Sequence, residues 1–140
     1  MKLRFLLDTN ILSSLIAREP DKRVRKRLEQ HAPECAIASP VWHELVFGCR
    51  RLESGRRRTA VEVFLSEVVQ ASFPILPYEE VAAGWHGTER ARLEGLGRPV
   101  PYVDGQIAAV AHVNGLVLVT RNIKDFKHFK GLETEDWSKR

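Results

Sequence analysis

The chain has 140 residues, of which 44% are hydrophobic and 29% are charged, and its formal net charge is +4. A chain of this length can bury a core without disulfides or a structural metal, and no apolar run approaches the roughly 20 residues that a membrane-spanning helix requires. We therefore expect a single domain over residues 1–140, located in the cytoplasm, with Cys35 and Cys49 as free buried thiols.

The first predicted element is a short apolar strand. Phe5, Leu6 and Leu7 do not alternate with polar residues, which indicates a strand covered on both faces, as in a parallel sheet flanked by helices. Asp8 then stands at the carboxyl end of the strand, the edge where ligands bind in open α/β sheets. Asp8 is equally well explained as the N-cap of a helix that begins at Thr9.

Eleven of the 22 basic residues lie in two clusters between Arg18 and Arg58, and none lies between Thr59 and Glu89. Such one-sided charge is typical of a surface that binds a polyanion, although a solvated helix face gives the same pattern. Gly55 and the arginines after it are predicted to form a loop tip. The clusters are Arg18, Lys22, Arg23, Arg25, Lys26 and Arg27, then Arg50, Arg51, Arg56, Arg57 and Arg58.

A basic helix and a second strand follow. Val24 and Leu28 form the narrow apolar stripe of a helix that is otherwise exposed. Residues 35–38 predict another buried strand, after which Ser39 and Pro40 predict the N-cap and first position of a helix.

That next helix contains a second candidate site residue, Glu44. It shares one face with Val41 and Leu45, and an unpaired carboxylate on an apolar stripe is unfavourable unless a partner offsets its charge. The alternative is a surface glutamate, if the buried face includes Trp42 and Val46 instead.

The middle of the chain contains predicted helices and a strand but no candidate site residue. Residues 59–69 predict a helix, residues 73–77 an edge strand because of their prolines, and residues 79–93 a further helix. His86 in that helix has no metal-ligand pattern around it and is predicted to be structural. The predicted core positions of the first of these helices are Val61, Phe64, Leu65 and Val68.

The segment from Tyr102 to Phe129 is the most informative. Asp104 is in line with the buried face of a helix of small residues, and residues 116–120 predict a central strand. Polar residues again stand at the end of that strand, and Asn122 is alternatively the N-cap of a short helix with Asp125 in its first turn. These polar residues are Thr120, Arg121, Asn122 and Asp125.

Four carboxylates therefore converge at one edge of a doubly wound sheet. Clustered carboxylates repel one another unless a cation offsets their charge. Oxygen ligands without a Cys/His set favour Mg²⁺ or Mn²⁺, which activate water for attack at phosphorus. With the basic clusters, this predicts metal-dependent hydrolysis of nucleic acid. The four acids are Asp8, Glu44, Asp104 and Asp125.

The order and spacing of these motifs resemble the PIN-domain ribonucleases, and within them the VapC-type toxins of toxin–antitoxin pairs. The resemblance implies a three-layer α/β/α PIN fold with a mostly parallel central sheet flanked by helices. It also implies Mg²⁺- or Mn²⁺-dependent cleavage of structured RNA such as tRNA or rRNA, a cognate VapB-like antitoxin, and a homodimer. The matching segments are Leu7-Asp8-Thr9-Asn10, Ser39 with Glu44-Leu45 and Gly48, Asp104 with Ile107-Ala108-Ala109, and Thr120-Arg121-Asn122 with Asp125-Phe126.

By position, the resemblance makes Asp8 and Asp104 the principal metal ligands, and Glu44 the acid that binds the ion or orients its water. Some members of the family carry an aspartate where this chain has Asn122, so we expect Asp125, a turn later, to be the fourth acid. The expected supporting residues are Thr9, Asn10, Thr120 and Asn122. The expected RNA-binding residues are Arg56, Arg57, Arg58 and Arg121.

The sequence is also compatible with two other functions. One is a catalytically silent PIN-like module that binds RNA or a protein partner. The other is a phosphatase-like or receiver-like domain with Asp8 as phosphoryl acceptor, although the haloacid-dehalogenase pattern has a second aspartate where this chain has Asn10.

Overall fold

A computed structural model of the chain describes residues 2–139. Within this range five strands form one parallel sheet in the order β3-β2-β1-β4-β5. The strands are β1 (Phe5–Leu7), β2 (Cys35–Ala38), β3 (Ile75–Leu76), β4 (Val117–Val119) and β5 (Thr134–Glu135).

Helices occupy the connections between these strands, which confirms the predicted α/β class with a parallel central sheet. None of the helices within residues 2–139 has the length and apolar character needed to span a membrane. The helices are α1 (Thr9–Leu15), α2 (Lys22–His31), α3 (Ser39–Arg50), α4 (Arg56–Phe64), α5 (Gln70–Ser72), α6 (Glu80–Gly95) and α7 (Tyr102–Val113).

β1 lies at the centre of the sheet and is buried along its whole length. The chain leaves β1 toward β2 on one side and later returns to β4 on the other, so the strand order reverses between β1 and β4. Leu7 is paired with Val119 at the carboxyl ends of these two strands. This is the crevice where open α/β sheets place their ligands, and Asp8 follows Leu7 directly.

Two helix starts differ from prediction. Gly55 lies in a turn, as predicted, but α4 begins at Arg56, so the prediction that the arginines after Gly55 belong to the loop tip was wrong. α3 begins at Ser39 and Ala38 is its N-cap, one residue earlier than predicted. Pro40 still lies in the first turn, where its missing N–H removes no helical hydrogen bond.

A π-helical stretch explains a further difference in the core. The segment Leu65–Val69 joins α4 to α5 with wider turns than an α-helix. Its extra residue per turn moves the buried position from the predicted Val68, which is 40% exposed, to Val69, which is fully buried. A pattern based on 3.6 residues per turn does not detect this shift.

Candidate active site at the carboxyl edge of the sheet

Asp8 stands at the end of β1 with its carboxylate held by three donors. The Thr9 backbone N–H donates to Oδ1 at 2.8 Å, the Thr120 hydroxyl donates to Oδ2 at 2.8 Å, and Asn10 Nδ2 donates to Oδ2 at 3.3 Å. The residue is 7% exposed. Asp8 therefore N-caps α1, as one interpretation predicts, and it also stands at the strand crevice, where a role in a ligand site is a proposal.

Thr120 orders this network from the end of β4. Its hydroxyl accepts from Asn10 Nδ2 at 3.3 Å and from the Asn122 backbone N–H at 3.0 Å. A hydroxyl has one proton and two acceptor sites, so its only proton points to Asp8 Oδ2. Thr120 is completely buried, and its geometry favours the ionised form of the Asp8 carboxyl.

Asp104 reaches the same edge from the first turn of α7. Its side chain is half-buried, whereas Ile107 and Ala108 on the same face are buried, as predicted. Burial, with the charges of Asp8 and Asp125, raises the pKa of Asp104 to about 6. Burial also raises the pKa of Asp8, and the charge of Asp125 adds to this effect. Asp125 is therefore close enough to act on the carboxyl groups of Asp8 and Asp104, and Asp8 is close enough to act on that of Asp104.

Asp125 is the more exposed member of this set. It ends a 3₁₀ turn (Ile123–Asp125), and its backbone N–H donates to the Asn122 carbonyl at 3.0 Å. Asn122 occupies the N-cap position of this turn, as the alternative interpretation predicts, but its side chain makes no capping hydrogen bond. Asn122 carries no charge, whereas the charge of Asp125 contributes to the raised pKa of Asp8 and of Asp104.

Glu44 lies on α3 at the border of the buried face. It lines one groove together with Thr9 and a second groove together with Val103, the residues next to Asp8 and Asp104. Its carboxylate makes no hydrogen bond or ion pair within residues 2–139. Glu44 therefore forms a wall between the two grooves and is available to a ligand from either.

The acids have the chemistry of a hard-cation site. Within residues 2–139, no three His, Cys, Asp or Glu side chains are grouped closely enough to hold a metal ion as they stand. The donor set nevertheless fits Mg²⁺ or Mn²⁺, because Asp8, Asp104 and Asp125 supply only carboxylate oxygens. Burial and, after it, the neighbouring carboxylate charges raise the pKa of Asp8 and Asp104, and a bound cation would offset both effects.

The predicted RNA-binding arginines lie on two sides of these acids. Arg121 follows Thr120, and its backbone N–H donates to Asn10 Oδ1 at 3.2 Å. Arg57 lines the same groove as Glu44, but its guanidinium donates to the Ile16 carbonyl at 2.6 Å. The remaining two are Arg56, which is exposed, and Arg58, which is half-buried.

A close helix–helix contact lies directly behind Asp104. His86 of α6 is buried, its Nδ1 is 2.8 Å from the Tyr78 hydroxyl, and its ring lies against Gly105 of α7. A Cβ atom at Gly105 would overlap that ring. A glycine next to Asp104 in the sequence is a signal that another segment approaches the helix closely. The sequence alone does not identify α6 as that segment.

Sequence reasoning also missed Glu89. It is 5% exposed and accepts two hydrogen bonds from Arg92, at 2.8 and 2.7 Å, and one from the Lys130 backbone N–H at 2.8 Å. Arg92 in turn donates to the His128 carbonyl at 2.8 Å. This network ties the segment that follows Asp125 to α6.

Comparisons with known proteins identify the family of the chain. Residues 5–132 match the PIN domain family model. The chain is 38% identical over 137 residues to the tRNA(fMet)-specific endonuclease VapC of Shigella flexneri, covering 97% of this chain and 99% of that protein.

Among solved structures, the chain is similar to DNA-bound VapBC from Salmonella typhimurium, with 30% identity, a TM-score of 0.85, and 96% and 98% of the two chains covered. It is also similar to VapBC-5 from Mycobacterium tuberculosis, a member of the VapBC family of toxin–antitoxin systems, with 26% identity, a TM-score of 0.67, and 95% and 96% covered. The chain belongs to the PIN-domain family and, within it, to the VapC ribonuclease toxins.

Proposed function

We propose that the chain is a divalent-metal-dependent endoribonuclease that acts as the toxin of a toxin–antitoxin pair, as one PIN domain over residues 1–140. The observation that supports it most is the gathering of three aspartates from distant segments at the strand crevice, where burial and the charges of Asp8 and Asp125 raise the pKa of Asp104. The proposed catalytic and metal-binding acids are Asp8, Glu44, Asp104 and Asp125.

Asp8, Asp104 and Asp125 are the proposed metal ligands. When bound, Mg²⁺ or Mn²⁺ supplies Lewis-acid chemistry at the phosphorus and a more acidic water. Thr120 and Asn10 fix the direction of the Asp8 oxygens. Because the pKa of Asp104 is about 6, its carboxyl is mainly ionised at pH 7 and mainly protonated at pH 5.

Glu44 has a separate proposed role, on the wall of the grooves that are also lined by Thr9 and Val103, the sequence neighbours of Asp8 and Asp104. Its carboxylate has no partner within residues 2–139, so it is available to orient the water that attacks the phosphorus. A carboxylate at hydrogen-bond distance from this water also accepts its proton. Thr9 and Asn122 support the site through their backbone N–H groups, which donate to Asp8 and Thr120.

The proposed substrate is structured RNA, with tRNA first and rRNA second, since the Shigella relative is named for tRNA(fMet). RNA phosphates are proposed to contact the arginines on both sides of the acids. We also propose a cognate VapB-like antitoxin, a homodimeric assembly, and action in the cytoplasm, where the substrate RNA is found. The arginines are Arg56, Arg57, Arg58 and Arg121.

The test is cleavage of total cellular RNA by the purified chain, with Mg²⁺ or Mn²⁺ against EDTA and mapping of new RNA ends. Asp104→Asn is the site variant, and Glu94→Gln is its control, because Glu94 is an exposed acid paired only with Arg90 on α6. We expect new RNA ends at discrete positions, formed only when the metal and Asp104 are both present. The Glu94→Gln control should form the same ends. Equal cleavage by Asp104→Asn would overturn the assigned site.

The alternative is a catalytically silent module that binds RNA. It predicts that the folded chain binds RNA equally well with metal or EDTA and leaves it uncut. This result would overturn the nuclease proposal while leaving the family assignment in place.

A further inference from the structure

One exposed side of α2 carries basic residues that the proposed catalytic centre does not use. We propose that this side binds the phosphate backbone of the RNA and leads it to the acids, which extends the proposed function to a second contact region. The identity of the RNA as substrate rests on that proposed function. We call the region the α2 basic face, and its residues are Arg23, Lys26, Arg27, Gln30 and Lys139.

The local sequence explains why α2 presents this face. Asp21 N-caps the helix and accepts from the backbone N–H groups of Arg23 and Val24 at 2.9 and 3.0 Å. Val24 and Leu28, four residues apart, are buried against the core. The basic residues that follow at helical spacing share another side and, with Lys139 from the end of the chain, line one shallow depression.

The charge of this depression is not balanced by the protein. None of its four cationic side chains makes an ion pair within residues 2–139, and no acid lines it. Arg23 Nη1 donates to the Ser138 backbone carbonyl at 3.4 Å, a contact that does not neutralise its charge. In contrast, Arg50 of the second basic cluster forms an ion pair with Glu62. Like charges three and four residues apart on a helix destabilise it, and a bound polyanion removes this repulsion.

The α2 basic face is continuous with the proposed active site. Asp21 Oδ2, at the start of α2, is 4.0 Å from Arg121 Nη2. The Arg121 backbone N–H donates to Asn10, whose side chain also donates to Asp8. At its other end α2 reaches His31, whose ring lies 5.1 Å from that of Phe5 at the start of β1.

This arrangement gives the face a direction. α2 starts at the catalytic edge of the sheet and extends for ten residues, a length of about 15 Å, toward the opposite edge. An RNA strand whose phosphates contact α2 therefore continues toward Arg121 and the acids.

The composition of the face favours nucleic acid over an acidic protein. Protein interfaces usually have an apolar core, but none of the large hydrophobic side chains exposed in residues 2–139 belongs to α2. Protein–nucleic acid interfaces are polar and strongly positive, and arginine matches phosphate geometry. The large exposed hydrophobic residues are Phe47, Val63, Val68, Val81, Leu96 and Tyr102.

The test measures binding of unfractionated bacterial tRNA in EDTA, where no metal supports cleavage, over a series of salt concentrations. The variant is Arg23→Gln/Lys26→Gln/Arg27→Gln, since glutamine keeps helix propensity. The control is Lys2→Gln/Lys127→Gln/Lys130→Gln, which removes the same number of charges from exposed positions outside the face. Thermal unfolding checks that both variants are folded.

We expect the variant to bind tRNA at least about tenfold more weakly, with the slope of log K against log salt reduced by about 2–3. The control keeps the slope of the unmodified chain. A short oligoribonucleotide that fills only the acid site is cut equally by the variant and the unmodified chain, because the acids are untouched.

The outcomes separate this inference from the proposed function. An unchanged salt slope in the variant, with RNA still cleaved, overturns the α2 basic face and leaves the nuclease standing. A reduced slope in a chain that never cleaves RNA supports the face and overturns the nuclease. If the variant loses binding to poly-glutamate but not to tRNA, the face binds an acidic protein and the inference is wrong.

Discussion

The Thr120 hydroxyl donates a 2.8 Å hydrogen bond to Asp8 Oδ2 across 112 positions of sequence. This bond joins the ends of the two strands between which the sheet order reverses. It also shows that the threonine after β4 fixes the orientation of the first acid.

Thr120→Val keeps the shape of the side chain but removes its hydroxyl. Asp8 then loses a donor, and the Asn122 N–H loses its acceptor. We expect the free energy of unfolding to fall by about 1–3 kcal/mol, together with a large loss of RNA cleavage. Urea unfolding and single-turnover cleavage measure the two effects.

Two further variants control this experiment. Thr59→Val changes an exposed threonine of α4 and should alter stability by less than about 0.5 kcal/mol. Thr120→Ser keeps the hydroxyl and should recover most of the activity. Full activity in Thr120→Val would show that Asp8 does not need this orientation.

Asp104→Asn should stabilise the metal-free chain at neutral pH. The folded-state pKa of Asp104, about 6, exceeds the usual aspartate value of 3.8, so the folded chain holds this proton more tightly than the unfolded chain. Ionisation therefore lowers the free energy of unfolding as pH rises between these two values. After allowance for solvent screening at a half-buried group, we expect a gain on the order of 1 kcal/mol in the variant at pH 7.

This gain should disappear below pH 3.8, where the aspartate is neutral in both states. Urea unfolding in EDTA across a pH series provides the measurement. A stability difference between variant and parent that does not change with pH would contradict the assigned cause.

Gly105→Ala should destabilise the fold because the added methyl group overlaps the buried His86 ring. Overpacking of this kind costs about 1–3 kcal/mol. Gly84→Ala and Gly87→Ala on α6 are matched controls, because an added Cβ meets nothing within 4 Å at either position. In these controls alanine should be neutral or stabilising by up to about 1 kcal/mol.

A double variant, His86→Ala/Gly105→Ala, tests the contact itself. We expect its loss of stability to be smaller than the sum of the two single losses, because the smaller side chain makes room for the methyl group. If the two losses of unfolding free energy are additive in chemical unfolding, the effect of Gly105→Ala does not come from its contact with His86.

Glu89→Gln should weaken the network that holds the segment after Asp125 against α6. It removes the charge that accepts from Arg92 and from the Lys130 N–H, and we expect a loss of about 2–3 kcal/mol in unfolding free energy. Glu94→Gln, at an exposed helical pair with Arg90, should cost less than about 0.5 kcal/mol. Equal losses in both variants would contradict the structural role of Glu89.

The Glu89 contribution also has a defined pH dependence. The hydrogen bonds from Arg92 keep the pKa of Glu89 below the usual glutamate value of 4.5. The stabilisation is therefore complete above pH 4.5 and is lost as pH falls through the lower folded-state pKa.

Several features of the site were accessible from sequence because each depends on local pattern. The unbroken apolar run of β1 identified a strand buried on both faces, and its end placed Asp8 at the edge of the sheet. The helical spacing from Asp104 to Ala111 likewise predicted an acid in line with a buried face, and the structure shows that this acid is half-buried. Both predictions need only the periods of strands and helices.

Other features depend on contacts that no local pattern contains. Glu89 is buried because Arg92 and the Lys130 N–H, 41 residues away in sequence, bind its carboxylate. The shift of the core position from Val68 to Val69 follows from a π-helical stretch that tertiary packing stabilises. Helical periodicity from the sequence alone selects Val68 instead of Val69 as the buried residue. It also gives no indication of the groups that bind the Glu89 carboxylate.

The most direct test of the central claim is calorimetric titration of the metal-free chain with Mn²⁺ at pH 7, beside Asp104→Asn and Glu94→Gln. We expect the chain and the Glu94→Gln control to bind Mn²⁺ with the same affinity, because Glu94 lies outside the acid cluster. Asp104→Asn should bind at least about tenfold more weakly, since it loses a charged ligand. A folded chain that binds no Mn²⁺, or an Asp104→Asn variant that binds it equally well, would contradict a metal-dependent active site at this edge of the sheet.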